Sequence, residues 1–276
     1  MISPVSNGSV KLTSCSRALS KSGLLDVDYA LNPYFGCAHG CLYCYAPDVL
    51  RCERGLEWGD WVEARVNISR MLKKDIREVG NSVIGLSTVT DPYQPVEKQL
   101  GLTRACLTVI SESSASLMLM TKSPLVLRDK DIIGRLRNAE VCITITTLDD
   151  RISSLFESKV AAPKERLAAL RELSDAGIRT DAMASPLLVS GNDPRLEVEQ
   201  LIEAVAETGC RSVTFDRLRL RETGRHRLKK RYSGTPDEEM VGAVLRSSER
   251  IDLARLIEEI IESKKYPKMR FQVFEQ

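Results

Sequence analysis

The chain has 276 residues, 43% hydrophobic and 28% charged, with a net charge of +2. These values describe a globular chain with a sizeable core; they exclude a disordered tail or small disulfide scaffold, and overall charge gives no argument for nucleic acid. No apolar run reaches the ~18 residues needed to span a bilayer, and the N-terminus MISPVSNGSVKLTSCS lacks a secretory apolar segment, so a cytoplasmic protein with no membrane partner is expected.

In chain order, the first strand-like run is DVDYALNP (26–33), which feeds straight into the cysteine-rich stretch NPYFGCAHGCLYCYA (32–46). Helical spacing follows over 61–79. Strands are then expected at SVIGLST (82–88), SLMLMT (116–121), VCITITT (141–147), TDAMASPLLV (180–189) and RSVTFDRL (211–218). They are nearly continuous apolar or β-branched runs, as parallel strands buried on both faces require. Helices are expected between them at 96–112, 123–139, 162–177 and 193–209. Leu167, Leu170 and Leu173 share one stripe, Pro163 and Pro194 fall near first turns, and Gly177 and Gly209 follow last turns. Residues 236–263 read as a terminal helix and MRFQVFE as a short last strand.

Six β units in βαβα order imply parallel strands joined by right-handed crossovers. Their number and spacing fit an α/β fold of the open, partial (β/α)6 barrel type, although alternation alone also permits a doubly wound sheet. The expected division is an N-terminal extension (1–25), a core domain (26–235) and a C-terminal helix and strand (236–276), in a monomer. In either architecture ligands bind where the C-terminal ends of the strands open into loops. The cysteine loop lies there, as do TVTDPYQP (88–95), MTKSP (120–124), TTLDDR (146–151) and ASPLLVSGND (184–193).

Of eight cysteines, three are clustered: Cys37, Cys41 and Cys44. In a long chain expected to be cytoplasmic, clustered cysteines point to metal rather than disulfides. Structural zinc takes four protein ligands, so this loop would need Cys52 or His39 as well, and no second C-x2-C pair occurs. Three thiolates also suit a [4Fe–4S] cluster with one iron left open. Cys142, inside an apolar run, reads as a small buried hydrophobe.

C-x3-C-x2-C with an aromatic just before the third cysteine resembles the signature loop of radical S-adenosylmethionine (SAM) enzymes. More narrowly, NPYFGCAHGCLYCYA is similar to the branch that includes spore photoproduct lyase and proteins described as DNA repair photolyases. STVTDPYQPVEKQLGLTR (87–104), MTKSP (120–124) and PKERLAALRELSDAGI…SPL (163–187) extend the likeness over roughly residues 26–220.

The resemblance implies that Cys37, Cys41 and Cys44 hold a [4Fe–4S] cluster whose fourth iron takes SAM. Reductive cleavage by an electron from flavodoxin or ferredoxin would then yield a 5′-deoxyadenosyl radical that abstracts hydrogen from a substrate. Thr90 and Asp91 match residues that hold the methionine end of SAM, and Lys122 matches a lysine that pairs with its carboxylate. Thr144 or Thr146 would face the ribose, with Ser185 and Tyr45 toward the adenosine. Tyr93 and Gln94 are the candidates for meeting substrate. In spore photoproduct lyase a cysteine just before the Thr90/Asp91-like pair returns a hydrogen atom to the product. Val89 stands there in this chain, and a valine cannot do that, which puts lyase-type repair by that route in doubt, with Tyr93 as an alternative donor.

One segment speaks to substrate. From Arg217 to Arg231 there are eight Lys or Arg and one acid, Glu222. Such a cluster suits nucleic-acid phosphates, and equally a solvated loop after the last barrel strand. Radical modification of a protein or small metabolite is the alternative within the family, and a non-catalytic zinc module is the alternative outside it.

Overall fold

Six parallel strands form the frame: β1 (Tyr29–Leu31), β2 (Val83–Leu86), β3 (Ser116–Thr121), β4 (Ala139–Thr144), β5 (Arg179–Leu187) and β6 (Ser212–Arg217). In the computed structural model, residues 9–24, 26–264, 266 and 269–274 are described. The six strands neighbour one another in sequence order, each pair parallel. Leu19–Lys21 adds antiparallel to β1 at one edge, and Arg270–Val273 adds parallel to β6 at the other. The sheet is therefore an open, partial (β/α)6 barrel, as its alternating pattern implies.

Side chains alternate across each strand. Leu117, Leu119, Val141, Ile143, Ala182, Ala184, Val213 and Phe215 face the helices and form the main core. The opposite face carries Glu140, Cys142 and Thr144 of β4, paired in register with Arg179, Asp181 and Met183 of β5. The barrel interior is thus more polar than its outer wall.

Several expected helices differ in detail. The run over 61–79 begins as a strand, Trp61–Arg65, parallel to Ser9–Thr13 and antiparallel to Tyr34–Phe35, and only Ile68–Asp75 is α-helical. Its Trp-Val start favours a strand once partners are available. The helix over 96–112 splits at Gly101, which adopts φ +62° between Glu97–Leu100 and Leu102–Ser111. Over 123–139 a 3₁₀ stretch, Pro124–Asp129, precedes one α turn, Lys130–Ile133; the break falls at Asp129, whose carboxylate is fully buried. The helices at Pro163–Asp175 and Pro194–Ala206 form as expected. In the first, Leu170 and Leu173 are buried, but Arg166 and Ala169 complete the inward stripe rather than Leu167.

Residues 236–263 hold two helices, Glu238–Arg250 and Leu253–Lys264. Ile251 is extended, and Asp252 accepts from Arg255 N–H to start the second. The basic stretch contains a helix, Glu222–Tyr232, rather than a loop throughout. Residues 1–8 and 25 of the expected extension, and 265, 267, 268, 275 and 276 of the C-terminal part, lie outside the described residues. Among those described, no helix is long and apolar enough to cross a membrane.

Candidate metal centre

The cysteine loop leaves β1, turns through the short strand Tyr34–Phe35 and runs over Cys37–Cys44. Gly36 and Gly40 permit the path, with φ of +83° and +59°. A Cβ on Gly36 would lie 2.7 Å from the Trp61 carbonyl oxygen, and one on Gly40 would lie 2.9 Å from Gly59 Cα. The loop can therefore sit tightly on residues 58–61, where Trp58 and Trp61 meet edge-on beneath Cys37. Tight turns join Gly40 N–H to Cys37 O and Cys44 N–H to Cys41 O.

The loop after β2 holds this backbone in place. Gln94 is fully buried; its Oε1 accepts from Ala38 N–H at 2.8 Å, and its Nε2 donates to Thr90 Oγ1 at 3.0 Å and Gly36 O at 3.3 Å. Thr90 Oγ1 donates to Gly36 O at 2.6 Å. Asp91 accepts from Thr121 Oγ1, Tyr93 N–H and Lys122 N–H at 2.7–2.8 Å, and His39 Nδ1 stands 3.4 Å away. Burial alone would raise the Asp91 carboxyl, but His39 and these hydrogen bonds hold it below the usual range.

A second network fixes the other side. Arg166 Nη2 donates to Glu157 Oε2 at 2.7 Å and to Ser153 Oγ at 3.1 Å, while Nη1 donates to Thr144 O at 2.9 Å. Thr146 Oγ1 and the Tyr43 hydroxyl also donate to Glu157. Burial would raise Glu157, yet Arg166, Lys122 and these donors keep it low. Tyr43, directly before Cys44, is thereby tied to the C-terminal end of β4. Lys122 lies over the Tyr43 ring, with its ammonium 5.8 Å from the centroid. From the far side, Arg227 Nη2 donates to Cys41 O and Leu42 O, each at 2.9 Å.

All eight cysteines are free. Burial raises the thiols of Cys37, Cys41 and Cys44, Cys41 to about 12, so without metal the loop holds neutral thiols that must lose protons to bind iron. Four thiolates on one tetrahedral zinc, with Zn–S bonds of ~2.3 Å, would stand about 3.8 Å apart. Among the described residues, no three of Cys37, Cys41, Cys44, Cys52 and His39 bring their ligand atoms within 4.8 Å of one another. The wider set suits sulfurs that reach different irons of one cluster. His39 faces Asp91 instead, and Cys52 packs against the cluster that holds Cys37.

The structure gathers Cys37, Cys41, Cys44, Thr90, Asp91 and Lys122 at one end of the barrel. Tyr45, 47% exposed, donates to Thr88 O beside them. Thr144 ends β4 on its interior face, and Ser185 lies near the end of β5. Thr146 lies beyond β4, fully buried on Glu157. Gln94 and Tyr93 do not reach the open rim: Gln94 bonds the loop, and the Tyr93 hydroxyl donates to Asp129 Oδ2 at 3.1 Å. Val89 packs beside Cys37 and Trp61. Sequence reasoning missed Glu157, Arg166, Arg227 and the His39–Asp91 contact. Only Arg166 carried a signal, as a cation on an apolar helical stripe.

The sequence model of the Radical SAM superfamily matches residues 31–205, from just ahead of the cysteine loop. An uncharacterized protein of Methanocaldococcus jannaschii is 32% identical over 206 residues, covering 74% of this chain and 76% of that protein. An uncharacterized Mycobacterium tuberculosis protein is 28% identical over 222 residues; the match covers 76% of this chain but 65% of the relative, less than two thirds of its length. Among solved structures, spore photoproduct lyase complexed with a dinucleoside spore photoproduct superposes with a TM-score of 0.71 at 17% identity, over 96% of this chain and 82% of that one. Streptococcus suis SuiB bound to S-adenosylmethionine gives 0.53 at 12% identity, over 89% and 50%. At such identities the likeness is one of fold.

Proposed function

This chain belongs to the radical SAM superfamily, and from that premise we propose an enzyme that abstracts hydrogen from a nucleic-acid substrate, with Cys37, Cys41 and Cys44 holding a [4Fe–4S] cluster. The carrying observation is the loop of three free thiols, Cys37, Cys41 and Cys44, at the C-terminal mouth of the barrel. Cluster and SAM together supply a 5′-deoxyadenosyl radical when bound and reduced. The protein's own work is to hold the loop, orient the cosubstrate and keep water from the reacting atoms.

Gln94 and Thr90 keep Gly36 and Ala38 in place from one side, and Arg227 holds Cys41 and Leu42 from the other. Lys122 is assigned to the cosubstrate carboxylate, since its ammonium lies at Tyr43. Asp91 favours the ammonium end, with Thr90 beside it. Thr144, Ser185 and Tyr45 are assigned to the adenosine end, while Thr146 fixes Glu157 behind it.

Nucleic acid is favoured by the helix Glu222–Tyr232 and the arm before it. Arg221, Arg225, Lys229, Lys230 and Arg231 are exposed. Arg217, Arg219 and Arg225 line a cavity of about 240 Å³, with Glu249 as the one acid in its wall. Val89 argues against return of hydrogen by a thiol at that position. The test incubates the reconstituted enzyme with deuterated oligonucleotides and reads deuterium in 5′-deoxyadenosine. Binding should weaken with salt, and Arg225→Ala, Lys229→Ala and Lys230→Ala together should weaken it across sequences. No deuterium transfer, with binding indifferent to these changes, would point to a protein or small metabolite instead.

A further inference from the structure

The helix Glu222–Tyr232, whose outer face is strongly basic, is docked by its inner face onto the cysteine loop. Thr223 bonds the Asp48 carboxylate through both its N–H and its hydroxyl. Gly224 lets the helix approach, since a Cβ there would lie 3.2 Å from Leu42 O and 3.8 Å from Tyr43 Cα. Leu228 and Tyr232 join an apolar cluster with Cys41, Leu42 and Tyr43. Between these contacts lies Arg227, only 5% exposed.

Arg227 spends one nitrogen, Nη2, on the Cys41 and Leu42 carbonyls. Its Nε and Nη1 are buried and have no hydrogen-bond partner among the described residues. Buried guanidinium N–H groups left without an acceptor are costly unless an anion meets them. The charges that act on it are the Asp48 carboxylate, itself bonded to Thr223, and the thiols of Cys44 and Cys41, which would carry negative charge once they ligate iron.

We propose that Arg227 is a positioning residue that raises the reduction potential of the cluster, its spare N–H groups and fixed charge favouring the more negative, reduced state. Cluster potentials respond to net charge and to hydrogen bonds at the sulfurs. The inference rests on the cluster reading above and adds a determinant from outside the signature loop. It also removes Arg227 from the cations available to a phosphate backbone.

The test uses the full chain, reconstituted without air, and reads iron content and midpoint potential by EPR-monitored redox titration. Iron-replete Arg227→Met should show at least a tenfold lower reduced-to-oxidised ratio at a fixed potential, about 59 mV for one electron. Arg227→Lys should shift by less than half as much. A wild-type potential in iron-replete Arg227→Met overturns the proposal. Should that variant hold no iron, Arg227→Gln replaces it and is read the same way. Iron held only by Arg227→Lys supports a required charge, whereas iron lost from all three variants overturns the electronic role and leaves a carbonyl clamp. A wild-type chain that binds no cluster contradicts the underlying reading instead, and that control separates the two.

Discussion

Arg166 and Glu157 form an ion pair in which neither side chain has any exposure, with Nη2 2.7 Å from Oε2. The pair lies between Thr144 at the end of β4 and Tyr43 beside Cys44, so it transmits the position of the barrel wall to the cysteine loop.

Breaking this pair from one side leaves a buried charge without a partner. Arg166→Met is expected to destabilise the protein by about 3–5 kcal/mol, measured by urea unfolding. A loss of under about 1 kcal/mol, the range of exposed pairs, would show that the network is not load-sharing in this way.

Glu140, inside the barrel with Cys142 and Asp181, has ligating atoms within 4.8 Å of theirs. Burial first, and then Asp181, push its carboxyl from 4.5 up to about 7. Because the folded value is the higher one, the folded state keeps a proton that the unfolded chain releases. Its contribution to stability is therefore full below the unfolded value and lost as pH rises through about 7. Glu140→Gln should gain stability relative to the unsubstituted protein between about pH 5 and about pH 8, by urea titrations at each pH. A difference that does not vary with pH contradicts this.

Gln94 should matter to the loop more than to turnover of substrate. Gln94→Ala removes the acceptor of Ala38 N–H, which costs about 1–3 kcal/mol for a buried group left unsatisfied. Iron should leave this variant faster in the presence of a chelator. Gly36→Ala should be worse, since the φ of +83° and the Trp61 carbonyl both oppose a Cβ. Iron release at the unsubstituted rate in Gln94→Ala would exclude the clamp.

The barrel was legible because parallel strands buried on both faces are continuous apolar runs, as Val141 to Ile145 show. The strand Trp61–Arg65 was not, because its partners Ser9–Thr13 and Tyr34–Phe35 lie far away in sequence and its pairing exists only in the fold. Cysteine spacing pointed to the three proposed ligands, since short loops must carry such residues close together. The supports were hidden for the same reason as the strand: Gln94 reaches Ala38 across 56 positions, and Arg227 reaches Cys41 across 186. Arg227 was further masked by seven neighbouring cations that give the segment the look of a solvated face.

A three-cysteine cluster that works with SAM makes a prediction that can be read directly. The most direct measurement reconstitutes the chain anaerobically, counts iron and sulfide, and assays 5′-deoxyadenosine after adding dithionite and SAM, with Cys41→Ala alongside. The expected result is about four irons per chain, with 5′-deoxyadenosine formed by the unsubstituted protein and not by the variant. One zinc per chain, no visible absorbance and no 5′-deoxyadenosine above the variant would contradict it.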